Sequence, residues 1–227
     1  MKQSLTLDRA TAGVLLVDFQ EAQRSDPLYK VAGFPAIIAN AHALLDSARQ
    51  NKLAVFHAAY KRDFSRVPPR PFEPVAKNGA PSFSDITSPA TEICREVTPA
   101  AGETVIIKND ASAFCEGDLL PALRKSQIEW LIIAGVWSEA CVAASVRDAI
   151  ANGFHVLLVK DACGSGTQMM HETAILNLAN RLYGGAVADT ARACALMAGK
   201  SAEVWVAERP APIVFDYDNV KAAYQSL

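Results

Sequence analysis

Short apolar runs alternate with stretches of helical period along most of the chain. Residues 131–162, LIIAGVWSEACVAASVRDAIANGFHVLLVKDA, carry the pattern most clearly: strand, tight turn, helix, short turn and second strand, the signature of a βαβ unit. Further apolar runs predict strands at 12–18, 53–57, 104–108, 129–135, 154–160 and 186–189. Several of them, AGVLLVD at 12–18 above all, are apolar at successive positions, as in a parallel strand covered on both faces. Between them, Ile37, Ala41, Leu44, Leu45 and Ala48 repeat with helical period behind Pro35, which suits a first helical turn. Helices are also expected at 119–125, at 168–183 ending on Gly184-Gly185, and at 190–198. Strands alternating with helices imply a three-layer αβα domain with a mostly parallel sheet. This domain is expected over residues 1–200.

Two stretches break the rhythm. Residues 60–89 contain Pro68, Pro69, Pro71, Pro74, Pro81 and Pro89 and little periodicity. A loop of that length is either a lid or pocket wall or a mobile surface insertion. From residue 202 the chain has extended character, and this tail (201–227) is expected to pack on its own domain or on a neighbouring subunit.

Composition narrows the function. At 227 residues with 51% hydrophobic and 20% charged content, the chain suits one soluble α/β domain. A net charge of −2 leaves no basic footprint for nucleic acid or for a membrane surface. No apolar run reaches transmembrane length, and MKQSLTLDRA has no signal-peptide core, so a cytoplasmic protein is expected. The five cysteines (94, 115, 141, 163 and 194) lack CxxC spacing, against a disulfide framework or a cysteine zinc site. The histidines (42, 57, 155 and 171) lack metal-ligand spacing, so neither metal nor cofactor is expected. Gly164 to Gly166 is too short for a phosphate cradle.

In open α/β sheets, ligands bind beyond the carboxyl ends of the strands, where Asp18, Lys108, Asp161 and the turn before Cys141 all fall. Ser138 suits a helix N-cap, which puts Cys141 at the third helical position, with Val142, Val146, Ala149 and Ile150 on the buried face. There the helix dipole lowers a thiol pKa and favours thiolate, and the Trp137 and Cys141 N–H groups can hold an oxyanion. Either Asp18 or Asp161 is a possible carboxylate partner, and either could cap a turn instead. Lys108 is a solvated strand-end lysine or a cation that keeps thiolate and carboxylate charged. A Cys–His pair is possible only through the fold, with His57 the nearest candidate. The other four cysteines are packing residues.

Taken together, LLVDFQ (15–20), VIIKNDASAF (105–114), GVWSEACVAASVRDAIANGFHVLLVKDACGS (135–165) and GGAV (184–187) resemble the isochorismatase-like cysteine hydrolases. That superfamily includes N-carbamoylsarcosine amidase, nicotinamidase, ureidoacrylate and biuret hydrolases and isochorismatase. The resemblance implies a six-stranded parallel sheet of order 3-2-1-4-5-6, a triad of Asp18, Lys108 and Cys141, and a cis peptide between Val136 and Trp137 that turns the Trp137 N–H toward the oxyanion. It chooses Asp18 over Asp161. It also sets a geometric problem, because in that order Lys108 starts two strands, roughly 10 Å, from Asp18. Related proteins are dimers or tetramers, so a homodimer or homotetramer is expected, with contacts in the 205–217 tail.

The expected activity is metal-independent cleavage of a small carboxamide or ureide through a thioester. Vinyl-ether hydrolysis and a non-catalytic binding role are the alternatives. Absence of the nicotinamidase-type Asp/His/His set speaks against nicotinamide. Substrate contacts are sought at Phe19, Gln20, Tyr60, Arg62, Phe114, Trp137 and Glu139. Among these, Tyr60 and Arg62 (with Lys61) would bind a carbonyl or carboxylate, or else be ordinary loop residues; Phe19, Phe114 and Trp137 would be apolar walls, with Phe114 alternatively core; Glu139 would meet a cationic or amide group.

Overall fold

The computed structural model describes residues 1–75, 77, 79 and 83–227. Pro81 of the proline-rich loop lies outside them. In chain order the elements are β1 (Lys2–Leu5), β2 (Ala12–Val17), α1 (Ala22–Ser25), α2 (Phe34–Gln50), β3 (Ala54–Tyr60), β4 (Thr104–Lys108), α3 (Leu119–Lys125), β5 (Trp130–Val136), α4 (Ala143–Ala151), β6 (His155–Gly164), α5 (Gln168–Ala179), β7 (Ala186–Ala188), α6 (Thr190–Met197), β8 (Ala202–Trp205) and α7 (Val220–Ser226). No helix among the described residues is long and apolar enough to cross a membrane.

The sheet has eight strands and is mixed, in the order β1-β8-β7-β6-β5-β2-β3-β4. This corrects the expected six parallel strands. Six strands, β4-β3-β2-β5-β6-β7, do run parallel in the anticipated order, but β8 and β1 extend the sheet antiparallel beyond β7. β1, KQSL, is nearly all exposed, so it carries no apolar signal.

Side chains alternate across a strand, and here the alternation separates two cores. Val14, Leu16, Ile132, Ala134, Leu157 and Val159 face α2 and α6. Their neighbours Leu15, Val17, Leu131, Ile133, Val156 and Leu158 face α3, α4 and α5. Uniformly apolar strands are what such a two-sided sheet requires. The segment after α6 packs on its own chain: Trp205 enters the second core, α7 lies on α5, and the Lys160 ammonium donates to the carbonyls of Tyr224 (3.0 Å) and Leu227 (3.3 Å).

Some boundaries move for local reasons. β6 runs on to Gly164 because its pairing with β5 slips between Ile133 and Gly135, which lets both strands continue toward the site. Helix α5 stops at Ala179, short of the expected 183, and the left-handed Gly184 (φ 70°) ends the connection to β7.

Candidate active site

β2 ends at Val17, and the next residue, Asp18, adopts φ 55°, a left-handed backbone that aspartate tolerates better than most residues. Its N–H donates to the Ala58 carbonyl (2.9 Å), and its own carbonyl accepts from the Gln20 N–H (2.9 Å). The carboxylate is 3% exposed and lies 2.8 Å from the Lys108 ammonium. Its oxygens lie beside the Lys108 ammonium and the Cys141 thiol.

Lys108 solves the two-strand gap with its length. From the edge strand β4 the side chain passes over β3, with Nζ 4.4 Å from the centre of the Tyr60 ring, and ends at Asp18, fully buried. The ring face stabilises the cation in transit. Nζ also donates to the Asp110 carbonyl (3.0 Å). Burial works against the Lys108 charge, but Asp18 and Cys141 beside it outweigh that and hold the ammonium protonated.

β5 ends at Val136, followed by a cis peptide to Trp137. The chain then enters a π-helical turn, Ser138–Val142, before α4, in which the Trp137 carbonyl accepts from both Ala140 N–H (3.0 Å) and Val142 N–H (3.2 Å). Such wide turns recur at functional sites. Cys141 therefore sits in this turn, not at the third position of a capped α-helix. Ser138 is not the cap either: its buried hydroxyl donates to the Gly164 carbonyl (3.0 Å) and contacts His171 Nδ1 (2.8 Å). The other His171 nitrogen meets the Tyr224 hydroxyl at 3.0 Å. Because the Ser138 proton is committed to Gly164, Nδ1–H donates to Ser138 and Nε2 accepts from Tyr224. Burial, with help from Lys160, lowers the His171 pKa to about 4. A neutral chain of three side chains thus ties α7 to the cysteine turn, and nothing in the sequence signals it.

The Cys141 thiol lies beside Asp18 and Lys108. Burial pushes its pKa up and the Asp18 carboxylate adds to the shift, while Lys108 opposes it without prevailing. This shift runs opposite to the one expected from the helix dipole. Burial likewise raises the Asp18 pKa against the pull of Lys108.

These groups open on a cavity of about 380 Å³. Tyr29, Tyr60, Phe83 and Trp137 give it aromatic walls, and residues 83–91 of the proline-rich loop supply one side. The Trp137 ring is fixed by its Nε1–H, which donates to Gln23 Oε1 at 3.2 Å. Gln20 reaches the cavity as a clamp: its Nε2 donates to the Tyr60 (3.1 Å) and Thr91 (2.6 Å) carbonyls, and its Oε1 accepts from Tyr60 N–H (3.0 Å).

Other expected contacts fall elsewhere. Phe19 is buried in the core beneath α2. Phe114 packs against Phe154, ring centres 6.3 Å apart, on the opposite core. Arg62 is buried, donates to Glu73 at 2.6 Å and stacks on Phe64 at 4.6 Å, so its charge is already spent. Glu139 is exposed and accepts from the Ser165 hydroxyl (2.8 Å), outside the cavity lining. Asp161 accepts from the N–H (2.7 Å) and hydroxyl (2.8 Å) of Thr190 and serves the start of α6. His57 contacts Glu103 at 2.9 Å, not the cysteine. Sequence reasoning missed Gln23, Tyr29 and Phe83, which stand in loops and short turns without periodic pattern. Among the described residues, ligand-type side chains gather only at Glu21, Cys94 and Glu96. Arg24 already supplies the positive charge there, at 2.9 Å from Glu21 and 2.8 Å from Glu96.

A carboxylate, an ammonium and a thiol thus meet at the strand ends of an αβα sheet. The chain belongs to the isochorismatase family: the isochorismatase domain model matches residues 12–192. It is 30% identical over 180 residues to maleamate amidohydrolase of Pseudomonas putida, covering 77% of this chain and 81% of that one. A shorter match, 40% over 73 residues, links it to N-carbamoylsarcosine amidase of an Arthrobacter species, covering 32% of this chain and 28% of that one. A cysteine hydrolase from Pseudomonas syringae shares the fold with a TM-score of 0.76 at 16% identity, covering 86% of this chain and 95% of that one.

Proposed function

We propose that the protein is a metal-independent cysteine amidohydrolase that cleaves a small carboxamide or ureide through a thioester. The observation that carries this reading is the Lys108–Asp18 ion pair beside the Cys141 thiol at the floor of the cavity. Asp18, with its raised pKa and its place beside the thiol, takes the thiol proton as sulfur attacks the amide carbon. Lys108 balances the charge throughout. The Trp137 and Cys141 N–H groups hold the tetrahedral oxyanion. Collapse breaks the C–N bond, and the proton on Asp18 leaves with the nitrogen as ammonia or an amine. Asp18 then takes a proton from water, whose oxygen attacks the thioester; the carboxylic acid departs and the proton returns to sulfur.

Cys141→Ser should lower turnover by about a thousand-fold or more with the fold retained. Full ammonia release by that variant would sink the mechanism. Brief mixing with substrate followed by mass spectrometry should map an acyl adduct to Cys141.

A further inference from the structure

The charge of the cavity bears on which amide it takes, an inference that rests on the amidohydrolase reading above. Among the described residues lining the cavity none is lysine or arginine, whereas Asp26 and Asp85 both reach it. The cations nearby are already paired: Lys108 with Asp18 (2.8 Å), Lys61 with Glu92 (2.7 Å), Arg62 with Glu73 (2.6 Å) and Arg24 with Glu21 and Glu96. With the Asp18–Lys108 pair neutral overall, the lining is left with two negative charges. Each of these aspartates uses Oδ1 in a local turn: Asp26 accepts from Leu28 N–H (2.8 Å), and Asp85 from the N–H (2.8 Å) and hydroxyl (2.7 Å) of Thr87. In both turns it is Oδ1 that is engaged.

The walls add a second attraction. Phe83 stands between two tyrosines, its ring centre 5.6 Å from that of Tyr29 and 5.8 Å from that of Tyr60, both tilted. Trp137 lines the cavity beside Cys141. Aromatic faces attract cations, and carboxylates beside them strengthen the effect. The buried Asp18 carboxylate, beside Cys141, marks the reacting end of the same cavity. We infer that the substrate is an amide whose non-reacting part carries a positive charge, and that amides bearing a carboxylate, maleamate among them, are rejected.

Three probes of similar size separate the possibilities. Trimethylammonioacetamide is cationic, 3,3-dimethylbutyramide is its uncharged isostere, and succinamate is anionic. Measured by ammonia release, kcat/KM should be about ten-fold higher for the cation than for its isostere, and lowest for the anion. A joint Asp26→Asn and Asp85→Asn variant, which keeps both turn-forming oxygens, should bring the cation-to-isostere ratio toward one. Equal or faster cleavage of succinamate or maleamate would overturn the inference and leave the amidohydrolase reading standing. If no probe releases ammonia, that reading is the one in trouble, and calorimetry on the Cys141→Ala variant decides the inference separately. There, tighter binding of the cation upholds it, and equal or tighter binding of the anion removes it.

Discussion

At the scale of the residue, the proposed mechanism makes the Cys141 thiol reactive through a base and not through a lowered pKa. Burial and the Asp18 carboxylate raise its pKa, and in that mechanism attack waits for Asp18 to accept the proton. Asp18→Asn keeps a side chain suited to the left-handed backbone but removes that acceptor. It should cost about 10²- to 10⁴-fold in kcat, read by ammonia release. Because burial raises the Asp18 pKa, kcat/KM should fall on acidification at a pH above the ordinary carboxylate range; an acid limb at the usual aspartate value would contradict this. Lys108→Met leaves the buried carboxylate without its countercharge. A loss of about 3–5 kcal/mol of stability, measured by urea unfolding, is expected along with lost activity. Asp18 and Asp161 could not be told apart in the sequence because both end apolar runs. What separates them is tertiary, since Thr190 claims Asp161 with two hydrogen bonds.

Between elements, the polar ties decide where the cysteine turn sits and how the edge of the sheet holds. The chain Tyr224–His171–Ser138–Gly164 couples α7 and α5 to the π-helical turn. Tyr224→Phe leaves His171 Nε2 without its donor in a buried setting and should cost about 1–3 kcal/mol in thermal unfolding. At Gly135 an added Cβ would come within 2.3 Å of the Val17 carbonyl oxygen, so Gly135→Ala forces β2 and β5 apart beside Asp18. Glu103 joins Arg49 of α2 (2.7 Å) to His57 of β3 (2.9 Å). Burial works to raise its pKa, but Arg49, the Ala100 N–H and His57 outweigh it and lower the value from 4.5 to about 2. The folded carboxylate therefore stays charged where the unfolded one binds a proton. Its contribution is complete above pH 4.5 and is lost as pH falls toward about 2. Glu103→Gln should flatten that acid limb of the stability profile. Strand and helix identities were legible because burial on both faces writes itself as unbroken apolar runs. The ties between them were not, since a hydroxyl, an imidazole and a phenol far apart in sequence leave no pattern.

At the scale of the molecule, the six parallel strands and the place of the site beyond their carboxyl ends were legible from the alternation of elements. Of the two antiparallel strands, β8 falls in the tail whose extended character was legible from residue 202, whereas β1 was not legible because an exposed edge strand needs no apolar face. For assembly we propose a homo-oligomer with contacts in the tail, where Val214 and Tyr217 are 88% and 84% exposed; a monomer by light scattering would refute it. The route taken by Lys108 has a further consequence. β4 stands at one end of the sheet, paired on one side to β3 alone, and Val105 and Ile107 are partly exposed. Edge strands open at lower free energy than the centre of a sheet. The site's countercharge is therefore mounted on one of the two edge strands of the sheet. Under rising denaturant, activity should vanish before the far-ultraviolet signal of the helices changes, and the β4 amides should exchange with deuterium ahead of those in β2 and β5.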